Sequence, residues 1–406
     1  MVDRDKARRD RMFDSLVVGG GPAGLVAATY LGRFRRRVVV VDAGQSRANW
    51  IPLTRNCPGF PRGITGPDLL HRLKLQATRH GADWVCDTVV GIRIAENGFL
   101  AQASSPIHAR SLLIATGVVD SLPDVPGTAD MIKAGALRLC PICDGYEVID
   151  KRVAVIGPAE HAMKKALFMR TFTRDVTLLI ADAAQPSPDD VLRLKRAGIE
   201  FGACARDAIS AEGRRAVVEL VDGRTLSFDT IYPAMGSIIR SRLATDLGAE
   251  CDRAGNLVVD SHQRTAVPGL YAAGDVVDEI NQLAVAFGHA AVAASDMHNY
   301  LAKGEGSTDC RLKTPRSDSP TRTACPALTL RYRQSQTIGL LPYVSLSDPA
   351  ASREQFRQTV PQAGIRPDKA ELASRSPASW LFCSHWPKGC GGKAAIPTLT
   401  TSSCWR

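Results

Sequence analysis

Over residues 1–301 the apolar positions fall into short unbroken runs instead of alternating stripes. Leu16–Val18 is followed by a glycine cluster, small apolar residues from about Pro22 to Gly32, and a second run at Val38–Val41. Continuous apolar runs of this length mark strands covered on both faces, as in a parallel sheet, and small residues between them suit a helix packed close on it. The pattern predicts strand, turn, helix and strand. A second such unit is predicted from strand Val153–Ile156, a helix to about Arg170, and strand Val176–Ile180. Between the units, "SLLIATGVVDSLPDVPG" reads as an apolar strand, a glycine and a proline-punctuated crossing, and "PAMGSIIRSR" as a crossing back. The predicted fold class is α/β, with two Rossmann-like nucleotide-binding domains, the second inserted into the first. The expected boundaries are 1–118 for the first part of the outer domain, 119–242 for the insert, and 243–301 for the return. A tail at 302–406 has no sustained period and is expected to be disordered, as is the charged start "MVDRDKARRDR".

Ser15–Leu31 carries no charge, but Gly19, Gly20, Gly21, Pro22 and Gly24 interrupt it, which argues for a soluble strand–turn–helix over a signal peptide or a membrane span. The net charge of +10 first suggests a nucleic-acid partner. Its distribution removes that suggestion. Residues 302–406 hold 15 Lys/Arg against 7 Asp/Glu, a net of +8, which leaves +2 for the body. No aromatic-plus-basic pattern for nucleic acid stands in the body. Of 11 cysteines, six lie in the body and only Cys140 and Cys143 are close together. That spacing does not belong to a disulfide-stapled secreted domain, and a reducing cytoplasm is expected.

Two motifs carry chemistry. Gly19-x-Gly21-x-x-Gly24 sits between a strand and a helix, with Pro22 and Ala23 inside it. The first glycine permits the tight turn, the second lets backbone approach a pyrophosphate, and the third lets helix pack on strand. The helix N-terminus then offers free N–H groups to phosphates. Asp42, 18 residues past Gly24, ends the second strand where an acid can grip ribose hydroxyls. The other motif is "LCPICDGY", which joins Cys140 to Cys143 through two residues. It suits a zinc half-site, a structural disulfide or an electron-passing dithiol. Zinc needs two further thiolates or imidazoles at ligand spacing, and none stand nearby in sequence.

From Phe13 to Leu301 the chain resembles the thioredoxin reductase family of flavoproteins. The Gly19 fingerprint is similar to that family's FAD site, "NCPGFPRGITGPDLL" from Asn56 to its segment beside the flavin, "LLIATG" with Thr116 and Gly117 to its strand entering the hinge, and "VPGLYAAGDVVDEINQLAVAFGHAA" to its second FAD signature. The resemblance implies that Gly274, Asp275 and Gln282 belong with the flavin. It implies a redox dithiol in which Cys143 faces the flavin, Cys140 attacks a partner disulfide, and Asp144 shuttles the proton; the residue reading of Asp144 alone also allows a helix or turn cap. It implies a homodimer, an inserted domain that swivels, and a thioredoxin-like protein as partner. A small-molecule disulfide or dithiol is the alternative substrate.

The second fingerprint departs from the family. Gly157-x-Ala159-x-x-Ala162 puts a methyl where the family has its middle glycine, and Ile180-Ala181-Asp182 replaces the basic run that clamps the NADPH ribose phosphate. Asp182 would repel a 2′-phosphate and accept from free ribose hydroxyls, so NADH is expected to be favoured over NADPH. Ferredoxin, or a small dithiol oxidised at the expense of oxygen, stay open as donors. A non-catalytic FAD-binding protein is the remaining class. His161 reads as a surface residue, His289 as packing or a flavin neighbour, and Cys57 as a buried inert thiol.

Overall fold

The computed structural model describes residues 12–181 and 186–304, without the Arg206 side chain. The charged start, Asp182 and all of the tail past Gly304 lie outside the described residues.

The first predicted unit is β1 (Phe13–Val18), α1 (Pro22–Arg33) and β2 (Val38–Asp42). β1 and β2 pair in parallel, Ser15 opposite Val38. Every residue from Leu16 to Val18 and from Val38 to Val41 is buried, which is why these strands lack an alternating polar face. Helix α2 (Gly66–Arg79) starts on a Thr65 cap whose hydroxyl accepts from Asp68 N–H, and leads into β3 (Asp83–Cys86) beside β2. β4 (Gly91–Ala95) and β5 (Gly98–Gln102) form an antiparallel extension that pairs with the start of β6 (Ile107–Ile114). β6 itself runs parallel to β1.

The chain leaves this sheet through β7 (Val118–Asp120), passes α3 (Thr128–Ala134) and α4 (Pro141–Asp144), and builds a second sheet. There β8 (Val153–Gly157), α5 (Ala159–Met169) and β9 (Val176–Ile180) form the second predicted unit, the helix closing one residue before the expected Arg170. α6 (Pro188–Ala197) follows, with Ser187 as its cap. β10 (Glu200–Glu212), β11 (Arg215–Leu220), β12 (Thr225–Phe228) and β13 (Thr230–Pro233) complete the order β12-β11-β10-β9-β8-β13. The chain returns through β14 (Ser237–Ile239), which lies antiparallel to β7, so the two predicted crossings pair with each other. After the short α7 (Arg242–Thr245), β15 (Leu270–Ala272) joins β6 of the first sheet in parallel. α8 (Leu283–Gly304) closes against α1, its Asp296 taking a hydrogen bond of 2.8 Å from Tyr271 Oη and pairing with Arg264. α8 runs to Gly304, three residues beyond the expected end of the body.

One core, including Val17, Leu25, Leu113 and Met297, lies between the first sheet and α1 and α8. Its opposite face is closed by a second core that includes Leu112, Leu257 and Val276. The second sheet is likewise covered on both faces, by Ile156, Ile231 and neighbours on one side and by Val155, Met169 and Tyr232 on the other. Among the described residues no helix is long and apolar enough to cross a membrane. Leu113 has no solvent exposure. Leu113→Ala is expected to cost about 2–5 kcal/mol of unfolding free energy in a denaturant titration, by lost transfer energy and the cavity left behind.

Candidate active site

The Gly19–Gly24 turn is tight because backbone meets backbone there. A Cβ on Gly19, at φ +108°, would lie 2.3 Å from Ala115 O, and one on Gly24 would lie 2.0 Å from Gly19 O. Gly20 N–H donates to Asp42 Oδ1 at 3.1 Å, and a Cβ on Gly20 would strike Trp84 at 2.4 Å. Gly21 is the cap of α1 and Pro22 its first residue, a position where the missing proline N–H costs nothing.

This turn opens on a cleft of about 800 Å³. Gly19, Gly21, Pro22, Ala23 and Asp42 line one stretch of it; Asn56, Thr116 and Gly117 line another, and Gly274, Asp275 and Gln282 a third. Cys140, Cys143 and Asp144 line the same cleft. Gly24 stands behind it, where it lets α1 pack on β1. Gly157 and Ala159 are not brought to this cleft.

Cys140 and Cys143 are joined as a disulfide, with Cα atoms 5.3 Å apart. α4 puts them there: Cys140 is its cap, Pro141 its first residue, and Cys143 N–H reaches Cys140 Sγ at 3.2 Å. Gln282 Nε2 lies 3.4 Å from both sulfurs. Its Oε1 accepts from Asn56 Nδ2 at 3.1 Å, and Asn56 Oδ1 accepts from Thr54 Oγ1 at 2.7 Å. A chain of polar contacts thus runs from the Thr54–Asn56 loop to the sulfur pair.

Asp144 stands at the cap position of the short turn Gly145–Val148, but its side chain makes no capping hydrogen bond. One carboxylate oxygen accepts from Arg138 at 3.0 Å and the other from Tyr232 Oη at 2.8 Å. Burial pushes the Asp144 carboxyl above the ordinary range, against the pull of Arg138 and Tyr232. Burial likewise raises Asp275, opposed by Arg47. Arg47 grips Asp120 with two bonds of 2.7 and 2.9 Å and reaches Asp275 at 3.1 Å. Lys165, on α5, donates to Pro233 O, and burial pulls its ammonium down to about 8.

Arg47, Arg138, Lys165 and Tyr232 carry no signal in the sequence. Each is a single residue outside any motif, and only the folded chain brings it to an acid or to the cleft. His161 is exposed, as expected. Cys57 is a buried free thiol held protonated by burial, as expected. His289 is half-buried, does not line the cleft, and keeps Nδ1 without a partner among the described residues.

A family model, pyridine nucleotide-disulphide oxidoreductase, matches residues 13–290. The chain belongs to this family. A thioredoxin reductase from Streptomyces clavuligerus is 30% identical over 71% of this chain and 93% of its own length. Among solved structures, the protein HlmI superposes with a TM-score of 0.67 at 28% identity, covering 72% of this chain and 94% of that one. Thioredoxin reductase from Giardia duodenalis superposes with a TM-score of 0.63 at 28% identity, covering 72% of this chain and all, 100%, of its own. The oxidoreductase is FAD-dependent and acts on a disulfide.

The first glycine turn fits such a dinucleotide. Its backbone is bare where a Cβ would intrude, its helix N-terminus faces the cleft, and Asp42 stands at its side. The second turn does not repeat this cradle. Gly157 is required there by the neighbouring strand, since its Cβ would lie 2.5 Å from Ala234 O; Pro158 has no N–H, and Ala159 carries a methyl. Gly24→Ala is expected to force α1 away from β1. Its readout is the flavin-to-protein absorbance ratio of the purified protein, which should fall several-fold.

Proposed function

We propose that the oxidoreductase exchanges electrons between its Cys140–Cys143 pair and the disulfide of a thioredoxin-like protein. The observation that carries this reading is the joined sulfur pair lining the same cleft as the fitting glycine turn, with Gln282 against both sulfurs. FAD would be held by the Gly19–Gly24 turn and Asp42, by Asn56, Thr116 and Gly117, and by Gly274, Asp275 and Gln282. When bound, the flavin supplies two-electron chemistry beside the sulfurs. Gln282 offers an N–H to sulfur, which favours the thiolate needed for exchange. In the reduced pair, Cys140 attacks the partner disulfide and forms a mixed disulfide. Cys143 then attacks Cys140 Sγ and frees the partner. Two electrons and two protons leave the dithiol and two partner thiols form.

Residues 119–242 form the inserted domain in this reading, between parts of the outer domain at 1–118 and 243–301. A disulfide facing the cleft must turn outward to meet a protein partner. Gly117 and Gly236, at φ +63° and +86°, stand at the two crossings and suit a hinge. Four free cysteines beside one joined pair, among the described residues, favour a reducing compartment such as the cytoplasm. The family resemblance supports a homodimer.

NADPH is disfavoured as donor. Pro158 and Ala159 weaken the second cradle, and Asp182, two residues past the end of β9, opposes a 2′-phosphate. Anaerobic titration with NADH, NADPH and reduced ferredoxin in turn, read by flavin bleaching, ranks the donors. NADH is expected to bleach the flavin faster than NADPH, and rapid bleaching by NADPH at low concentration overturns this order.

Cys140→Ser is expected to abolish reduction of a thioredoxin disulfide while flavin stays bound. Retained reduction sinks the functional reading. Oxygen consumption driven by a small dithiol without any thioredoxin would move the assignment to a dithiol oxidase.

A further inference from the structure

The two groups on Asp144 come from adjacent positions of one sheet edge. Arg138 N–H donates to Ile231 O at 2.9 Å, and Leu137 bridges Ile231 in parallel. Tyr232 is the next residue of β13. One backbone hydrogen bond therefore sets the guanidinium and the phenol side by side, and each takes one oxygen of the Asp144 carboxylate. Tyr232 has no solvent exposure. Among the described residues its hydroxyl bonds to Asp144 alone, at Oδ1 and more weakly to the backbone O at 3.4 Å. A phenylalanine would fill this volume with no hydroxyl to satisfy. Arg138 Nε is buried without a partner among the described residues, a cost accepted so that the guanidinium can face Asp144.

We propose that Arg138 and Tyr232 are positioning residues that hold the Asp144 carboxyl as the proton donor of the sulfur pair, and that they do so from within the second sheet, so that the acid travels with the dithiol. The inference rests on the reading that Cys140 and Cys143 are the redox pair. The contacts that tie the sulfur-bearing segment to the outer segments are of another kind: Gln282 touches both sulfurs, Asn56 holds Gln282, and Arg55 pairs with Glu147. Gln282, Asn56 and Arg55 all belong to the outer segments, and a turn of the insert leaves them behind. Arg138, Asp144 and Tyr232 all lie between the two crossings and keep their geometry.

During exchange the acid lends a proton to the departing partner sulfur and recovers one from the dithiol, so the balance of two electrons and two protons is unchanged. Four groups face the carboxyl: Arg138, Tyr232, Glu147 from the turn after α4, and Lys165 from α5. Glu147 also pairs with Arg55 of the outer segments at 3.2 Å, and Lys165 feels the charge of Arg47. Buried as it is, Asp144 holds its proton to higher pH than a free carboxyl.

The test is an infrared titration of the carboxyl band of the full, flavin-loaded, oxidised protein, assigned by its loss in Asp144→Asn. Tyr232→Phe removes a hydrogen bond to the charged form and is expected to raise the midpoint by about one unit. Arg138→Gln removes the opposite charge and raises it by about 1–3 units. Glu147→Gln removes a like charge and lowers it. In exchange with glutathione disulfide, the protonated acid is lost as pH rises through its midpoint. The alkaline limb of the rate therefore moves up in Tyr232→Phe and Arg138→Gln, and Tyr232→Phe moves nothing in an Asp144→Asn background. An unmoved or lowered midpoint in both single variants overturns the proposal, and Arg138→Gln decides alone if Tyr232→Phe does not fold. Failure of the functional reading is seen separately, as exchange that survives Cys140→Ser.

Discussion

The antiparallel pairing of β7 with β14 fixes where the sulfurs can be. Among the described residues the chain passes between its two sheets through these strands, and Val118 to Asp120 lie opposite Ile239 to Ser237. Around the ribbon, Thr116 Oγ1 donates to Arg240 O at 2.6 Å, Arg240 N–H to Gly117 O at 3.0 Å and Ser121 N–H to Gly236 O at 2.9 Å. Arg47, in the short turn Arg47–Trp50 after β2, reinforces it by clamping Asp120, the last residue of β7, while touching Asp275 across the cleft. A bidentate guanidinium–carboxylate pair is directional as well as attractive, and so sets an angle better than an apolar contact does. The rest of the site follows from that angle. It brings α4 against Gln282 and turns two sheets that share little else into the walls of one cleft.

Burial of charge around this junction is deliberate in chemical terms. Asp120, Asp144, Asp275, Arg47, Arg138 and Lys165 converge where two covered sheets meet. Taking each from water is costly unless it is paired. Arg47 and Arg138 each meet a carboxylate, and Lys165 meets a backbone carbonyl. What remains is a set of groups whose proton affinities are displaced from their ordinary values, Asp144 and Asp275 upward and Lys165 downward. Sulfur exchange needs such groups, because thiolate and thiol must interconvert near neutral pH.

The fold was legible because its strands are continuous apolar runs and its first turn is rich in glycine. Leu16–Val18 and Val38–Val41 could be nothing but buried parallel strands once Gly19–Gly24 separated them. The sulfur pair was legible for a similar reason, since close spacing in sequence forces closeness in space. Arg47, Arg138, Lys165 and Tyr232 were not. Arg47 meets Asp120 across 73 residues and Tyr232 meets Asp144 across 88, and no local period encodes a partner so distant. Asp144 shows both sides of this. Its place after Cys143 marked it as an acid worth weighing, while the groups that hold its carboxylate, Arg138 and Tyr232, come from positions that the motif does not contain.

The same division bears on how one sulfur pair can serve two faces. Contacts from Asn56, Gln282 and Arg55 are few, polar and partly exposed, so releasing them exposes little apolar surface and replaces protein donors with water. Contacts inside the insert are of the opposite kind: Tyr232 is fully buried, and Leu137 and Ile231 join α3's exit to the sheet edge. A turn about the crossings would release the first set, would have to accommodate the Arg47–Asp120 clamp at the ribbon, and would spare the contacts inside the insert. It would change what the sulfurs face without changing the carboxyl held beside Arg138 and Tyr232, which is the condition for a dithiol to take electrons in one orientation and give them up in another.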